Sequence, residues 1–290
     1  MSIFDKIKKS DLADFLTLCK PYVDFDYEKA YNMALHAIKF NKGDKNSRNE
    51  LRHLEELHVR WYDSLAKGSP DYSVYDDPYY GLCDVWACWV IYSRKYLLAI
   101  NSPKSLTTKS IVSDMTVNSV IDMGNGFGYT TAGLKELFPS AKVYGFNLKD
   151  TCQYKVGEVL APLYDFSMVS ELPTTHIDIV FASEYFEHIL DPVTHLLEVI
   201  NKLSPNISLL LVPSAQKLLD ISIRIITAIK NLQGKKLVVF LTILCVKRDT
   251  LNAQRICGIT ALLFGITNGS ILPQHPSDLT KNSNNKASKI

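Results

Sequence analysis

The chain has 290 residues, 47% of them apolar, with 32 Lys+Arg against 30 Asp+Glu for a formal net charge of +2. That length buries a full core, as one large domain or one domain with a helical addition. So balanced a charge exerts no global pull toward nucleic acid or an anionic membrane, which leaves local patches as the electrostatic route to either.

Six cysteines, Cys19, Cys83, Cys88, Cys152, Cys245 and Cys257, are scattered with no Cys-x-x-Cys pair, so reduced thiols are expected and no metal site. Cys83 and Cys88, five apart, read as core residues. The first fifteen residues carry charges every few positions and no apolar h-region, which argues against a secretory signal and for a cytoplasmic protein.

Residues 1–110 read as a helical N-terminal segment. Stretches 27–40 and 47–65 carry apolar residues at helical spacing, for example Leu51, Leu54, Leu57, Trp61 and Leu65, and Gly43-Asp44-Lys45-Asn46 separates them as a turn. A tyrosine-rich loop follows at 71–80. Residues 83–100 then predict a helix on which Trp86, Trp89, Tyr92 and Tyr96 share one face. Such a face packs on a core, or serves as a lid over a substrate pocket, because tyrosine combines flat apolar surface with a polar tip.

Residues 117–213 alternate strand and helix, which predicts a parallel sheet with right-handed crossovers. Strands are expected at 119–123, 142–146, 177–182 and 208–212, with a further short strand ending near Tyr164, and helices near 130–137 and 192–203. Beyond them lie an amphipathic stretch at 217–232 and two apolar runs at 237–246 and 256–266. The first run is half the length needed to cross a bilayer and suits a strand buried on both faces, so no membrane partner is expected. From Thr267 the composition turns to Asn, Ser, Lys and Pro, and 267–290 reads as a disordered tail.

The chemistry concentrates in Val120-Ile121-Asp122-Met123-Gly124-Asn125-Gly126-Phe127-Gly128, three alternate glycines straight after an apolar run. Glycine tolerates positive φ and lacks a Cβ, so a chain can turn tightly at a strand end and bring N–H groups against a ligand. In a doubly wound sheet the ligand lies outside the carboxyl ends of the strands. Here those ends are read as Asp122 with the glycines, Asn147 with Asp150 close by, Asp165-Phe166, and Ser183-Glu184. A nicotinamide dinucleotide loop wants glycines at offsets 0, 2 and 5, whereas these fall at 0, 2 and 4 with Tyr129 at offset 5. No phosphate P-loop motif occurs either.

Over roughly 119–213 the chain resembles the Rossmann-like S-adenosylmethionine-dependent methyltransferases. The acidic-x-Gly-x-Gly-x-Gly loop at Asp122 to Gly128, then Leu172-Pro173, Ile177-Asp178-Ile179-Val180-Phe181 and Ala182-Ser183-Glu184-Tyr185-Phe186-Glu187-His188-Ile189 follow in the family's order. The resemblance implies an α/β, doubly wound Rossmann-like sheet of methyltransferase type with a helical N-terminal extension, residues 1–110 shaping the acceptor pocket and 111–266 binding S-adenosylmethionine. It also implies two closing strands, commonly an antiparallel hairpin, for which 237–246 and 256–266 are the candidates, although no turn between them is recognisable. As cofactor contacts it implies Asp122, Gly124, Asn125, Gly126, Gly128, Asn147, Asp165, Phe166 and Glu184. The family's second strand usually ends in an acid that grips the ribose hydroxyls. Asn147 departs from this, so ribose binding would be weaker or shared with Asp150.

Methyl transfer asks for in-line alignment, exclusion of water and removal of a proton from a hydroxyl or amine acceptor. His188 is the expected base, oriented by Glu184 four residues earlier if that segment is helical, and Tyr79, Tyr80 and Tyr185 are expected on the acceptor wall. Asp76-Asp77-Pro78-Tyr79 and Ser183-Glu184-Tyr185-Phe186 lack the prolines and place of an amino-methyltransferase motif. The leading reading is O- or N-methylation of a small molecule. A nucleic acid methyltransferase and a non-catalytic binding module of the same fold stand as alternatives.

Overall fold

Helical and strand periodicities both become visible burial patterns in the computed structural model, which describes residues 9–41, 44–85, 116–183, 185–205, 207–214, 237–249, 253–267 and 270–273. The chain divides into two compact units, Met1–Glu171 and Leu172–Ile290. The expected boundary near residue 110 is not where the division falls. The N-terminal helices belong to the same unit as the first three strands, and the reason is a direct contact described below.

In the first unit, α1 (Lys9–Cys19) buries Leu12, Phe15, Leu16 and Cys19, and α2 (Tyr27–Asn41) buries Ala30, Met33, Ala34, Ala37 and Ile38. Both are i, i+3, i+4, i+7 stripes, the spacing that turns one helical face inward. The single helix expected over 47–65 is instead a 3-10 segment, Lys45–Leu51, followed by α3 (Arg52–Ala66). The tighter turn has a local cause. Asp44 accepts from the Asn46 N–H at 3.0 Å and from the Ser47 hydroxyl at 3.3 Å, while Ser47, buried, lies 3.1 Å from His36 Nδ1. On α3, Leu54, Leu57 and Trp61 are buried as expected.

The sheet of this unit is parallel. β1 (Ser119–Met123) pairs with β2 (Lys142–Phe146) in the register Ser119↔Lys142 to Met123↔Phe146, and β2 pairs with β3 (Ser167–Val169) from Tyr144↔Ser167. α4 (Tyr129–Leu137) and α5 (Cys152–Tyr164) are the crossovers. The strand expected to end near Tyr164 is therefore a correction. Residues up to Tyr164 belong to α5, capped at Thr151 by its hydroxyl accepting from the Tyr154 N–H at 3.1 Å, and the strand begins only at Ser167. An apolar run of Val156, Leu160 and Ala161 fits a buried helix face as well as a strand.

In the second unit, β4 (Ile179–Ser183) is buried along its whole length and pairs in parallel with β5 (Ile207–Ser214). Between them α6 (Pro192–Leu203) buries Leu196, Val199, Ile200 and Leu203, its start fixed by Asp191, which accepts from the Thr194 N–H at 3.3 Å. β6 (Leu237–Asp249) adds in parallel to β5. β7 (Ala253–Thr267) then pairs antiparallel with β6 from Leu237↔Ile266 to Asp249↔Ala253, the expected hairpin. The register leaves three residues, Thr250-Leu251-Asn252, between the strands, without the glycine or proline by which a turn is recognised in sequence. The tail expectation needs a correction too. β8 (Ser270–Pro273) pairs antiparallel with β7 from Phe264↔Pro273 to Thr267↔Ser270, within the stretch expected as a tail.

Strand–helix–strand repeats in parallel, β1–α4–β2–α5–β3 and β4–α6–β5, make this an α/β fold of the doubly wound, Rossmann-like class. The helix expected at 83–100 lies outside the described residues beyond Val85, as do the stretch 217–232 and residues 274–290. No helix among the described residues is long and apolar enough to cross a membrane.

One position tests the strand packing. Gly145 on β2 lies opposite Asp122, and a Cβ there would fall on the side-chain amide of Asn125 and 3.1 Å from Met168 Sδ. Gly145→Ala is expected to cost about 1–3 kcal/mol by overpacking, read as a lower urea midpoint with an unchanged m-value.

Candidate functional site

The site in the first unit is built at the carboxyl end of β1. Gly124, Gly126 and Gly128 all have positive φ, at 67°, 54° and 97°, a conformation that a side chain rarely adopts. The Phe146 carbonyl, at the end of the neighbouring strand, accepts from the Gly124 N–H at 3.0 Å and the Asn125 N–H at 3.2 Å. Gly128 N–H closes the loop onto the Asn125 carbonyl at 2.9 Å, and α4 starts at Tyr129. Among the described residues the N–H groups of Gly126 and Phe127 have no partner. The loop therefore presents backbone donors at a helix N-terminus, a setting that suits a negatively charged group.

Two side chains of the loop point into the protein. Asp122 is buried, and its carboxyl accepts from the Thr131 hydroxyl at 2.8 Å. Burial pushes its pKa up to about 8, against the smaller lowering effect of the Thr131 bond. Asn125 is buried as well. Its amide donates to Met168 Sδ at 3.2 Å, and its carbonyl oxygen has no partner among the described residues. Thr131 and Met168 are positions that sequence reasoning missed. A hydroxyl in the first turn of α4 and a thioether on β3 carry no motif of their own.

The end of β2 shows why Asn147 is not an acid here. Its amide donates to the Gly126 carbonyl at 3.2 Å and to Gln153 Oε1 at 3.3 Å, while its oxygen accepts from the Leu148 N–H at 2.8 Å. A carboxylate has no proton to give the glycine loop. Asn147 thus ties the loop to the start of α5 through Gln153, a third residue missed in the sequence. Asp150, in the same connection, is exposed and has a left-handed φ of 71°. Val169 and Ser170, half-exposed, stand at the carboxyl end of β3, where the Val169 carbonyl accepts from the Asn147 N–H at 3.2 Å.

Asp165 and Phe166 are displaced from the role the sequence assigned. They precede β3 instead of following it. Asp165 is the left-handed C-cap of α5, with φ 56°, and its exposed carboxylate meets Lys135 Nζ at 2.9 Å. The same ammonium donates to the Ala141 carbonyl just before β2, so Asp165 sits at the amino ends of the strands, away from the glycine loop. Phe166 is buried, with its ring on Gly128, where a Cβ would come within 2.8 Å of Cζ. It supports the loop from behind.

The N-terminal segment covers the loop directly. Phe15 of α1 meets Phe127 edge-on at 5.4 Å and Tyr129 at 5.7 Å, and a Cβ on Gly81 would lie 3.2 Å from the Phe127 ring. Tyr80 is buried against His58 and Tyr75 at 5.6 and 5.5 Å. Tyr79 turns toward α2: its hydroxyl accepts from the Asp26 N–H at 3.3 Å and Lys29 Nζ lies 4.0 Å over its ring. Asp77 orders this turn by accepting from the N–H groups of Tyr79 and Tyr80, and is itself held by His53 at 2.8 Å. Cys19 and Cys152 are free thiols, and burial pushes the Cys19 thiol well above its usual range.

The second unit holds the residues after β4. Glu184 lies outside the described residues. Residues Phe186–His188 form one 3-10 turn. His188 is half-exposed there. Tyr185, half-buried, places its hydroxyl 2.9 Å from Nε2 of His195, whose Nδ1 is 3.8 Å from Glu198 on the next turn of α6. Burial holds the His195 pKa below its ordinary value, against the opposing effect of Glu198. The hydroxyl of Ser183 is buried without a partner among the described residues. His195 was not anticipated, because a histidine three residues past a helix-starting proline reads as an ordinary helix residue.

No protein-family model matches the chain, and no curated protein matches it. Among solved structures it is similar to the plantazolicin methyltransferase BpumL, crystallised with a pentazolic desmethylPZN analog and SAH, at 11% identity and TM-score 0.32 over 75% of this chain and 60% of that one. A putative O-methyltransferase from Nostoc punctiforme PCC 73102 matches at 11% identity and TM-score 0.34, over 68% and 53% of the two chains. A SAM-dependent methyltransferase from Aquifex aeolicus matches at 14% identity and TM-score 0.29, over 51% and 68%. The chain thus spans about 60% of the length of the plantazolicin enzyme. Likeness of this kind concerns the fold alone.

Asp122 makes stability depend on pH. A carboxyl whose folded pKa is raised to about 8 from 3.8 stabilises the fold fully below about pH 4, and that contribution is lost as pH rises through 8. Asp122→Asn should flatten this slope, so that the variant exceeds the wild type by more than about 1.4 kcal/mol above pH 8, the equivalent of one tenfold change in proton affinity. Urea denaturation at about pH 5 and about pH 8.5 reads the difference.

Proposed function

We propose that the chain is an S-adenosylmethionine-dependent methyltransferase that transfers a methyl group to an oxygen or nitrogen of a small molecule. One observation carries the reading: three glycines in left-handed conformations at the end of a parallel strand, opening directly into a helix N-terminus. The sulfonium cofactor combines a carboxylate, suited to the loop N–H groups and the start of α4, with a nucleoside that needs polar partners at the next strand end. Gly124, Gly126 and Gly128 fit the first requirement. For the second, the residues at the ends of β2 and β3 are Asn147, Asp150, Val169 and Ser170, and not Asp165 or Phe166.

When bound, the cofactor supplies the electrophilic methyl group. The chain's own task is to orient it, exclude water and accept a proton. Phe15, Phe127 and Gly81 seal the glycine loop from one side. On the sequence resemblance alone, the acceptor side is assigned to Glu184, Tyr185 and His188.

A second reading, a binding module without turnover, is favoured by the engagement of both ends of the Asn147 amide within the protein, which leaves no carboxylate for the ribose at that position. Calorimetry with S-adenosylhomocysteine and turnover with methyl-labelled S-adenosylmethionine separate the two. The wild type is expected to bind, and Gly126→Arg to weaken binding by more than about tenfold, or about 1.4 kcal/mol, with the circular dichroism spectrum retained. Binding unaffected by Gly126→Arg would remove the loop from the site. Asn147→Asp should also weaken binding, because it loses the donor that holds the Gly126 carbonyl.

A further inference from the structure

A thioether in the first unit sits where the fold leaves no spare room. Met168 is the middle residue of β3, an edge strand that pairs with β2, and its register partner is Gly145. Its sulfur accepts from the Asn125 side-chain amide at 3.2 Å. A Cβ on Gly145 would lie 3.1 Å from that sulfur, and one on Gly157 of α5 would lie 2.8 Å from both Sδ and Cε. Two glycines, one on β2 and one on α5, thus make room for the thioether by lacking the methyl group that would collide with it.

Asn125 links this packing to the glycine loop. It stands between Gly124 and Gly126, both with positive φ, and its own carbonyl accepts from the Gly128 N–H at 2.9 Å. Its side chain is buried, and Met168 Sδ is the partner of the amide group, whose oxygen has none among the described residues. Met33 and Met123 are buried, whereas Met168 is half-buried, so a small oxidant reaches Met168 more readily. Cys19 and Cys152 lie in the same unit, but burial raises both thiols above their ordinary range and so lowers their thiolate content.

We propose that Met168 is an oxidation site, and that its conversion to the sulfoxide by a peroxide displaces Asn125 and weakens ligand binding by the glycine loop. In the step a sulfur lone pair attacks one oxygen of hydrogen peroxide and the O–O bond breaks. The departing hydroxide takes the proton of the transferred oxygen and leaves as water. Sulfur is oxidised by two electrons and the peroxide reduced by two; a thiol-dependent methionine sulfoxide reductase reverses the change. An oxygen on the lone pair that receives the Asn125 amide enters a 3.2 Å contact and pushes the amide away. On the other lone pair it makes the group strongly polar, which draws the sulfur toward water, off the two glycines and out of reach of the amide. Both routes separate Asn125 from its partner. The consequence for binding rests on the reading of this loop as the cofactor site.

The full chain is treated with hydrogen peroxide, then with dithiothreitol to return any sulfenic acid or disulfide to thiol, and sulfoxide is located by peptide mass spectrometry. Met168 is expected to oxidise ahead of Met33 and Met123, and the Asn125 side-chain amide signal in nitrogen-15 NMR to shift. Calorimetry should show S-adenosylhomocysteine affinity lowered by at least about tenfold, and the reductase should restore both readings in the same protein. Met168→Leu keeps the volume and removes the sulfur, so peroxide should leave its affinity where it was before treatment. Oxidation of Met33 or Met123 first, an unmoved Asn125 amide in the sulfoxide form, an unchanged affinity, or an equal loss in treated Met168→Leu would each overturn the proposal. A wild type that binds no S-adenosylhomocysteine before oxidation overturns the methyltransferase reading, and the Asn125 amide signal then decides by itself whether Met168 oxidation moves the loop.

Discussion

A single carbonyl organises the first unit. Phe146, the last residue of β2, accepts from two consecutive N–H groups of the turn that leaves β1, so the exit of one strand is clamped to the end of its neighbour. The clamp requires the chain to reverse at once, and only left-handed backbone at Gly124, Gly126 and Gly128 allows this without a side-chain clash. Asn147 adds a second tie one residue further along, from its amide to the Gly126 carbonyl. The loop geometry is thus set before any ligand arrives, and α4 begins where the reversal ends.

The acids of this region serve the fold more than the crevice. Asp122 is sealed beneath the loop with a hydroxyl donor and an affinity for its proton far above that of an open carboxyl. Asp165 is held by Lys135 at the other end of the strands. Neutral amides take their place near the glycines, Asn125 reaching under Gly145 toward Met168 and Asn147 bridging to Gln153. An amide donates and accepts at once, so it can join a backbone carbonyl to a backbone N–H, whereas a carboxylate could only accept.

In the second unit, one side-chain contact depends on where a helix begins. Asp191 and Pro192 fix the first turn of α6, and that turn carries His195 to the hydroxyl of Tyr185. Glu198, one turn on, lies 3.8 Å from His195 Nδ1. The residues sit in three different local structures, a strand exit, a helix start and a helix surface, and no short-range pattern joins them.

The elements were largely legible from order along the chain. Helical stripes on α2, α3 and α6, the strands β1, β2, β4 and β5, and the long hairpin of β6 and β7 follow from periodicity and apolar runs, because burial of one face is a local demand. The glycine loop was legible for a similar reason, since positive φ at alternate positions restricts residue type locally. What sequence misjudged was every point at which a partner distant in the chain decides the outcome. Asp165 became a helix cap paired with Lys135, Phe166 a support for Gly128, Asn147 a tie to the glycine loop, and His195 the partner of Tyr185. A residue's type fixes which bonds it can make, but its burial and its partners are set only when segments far apart in sequence are brought into contact.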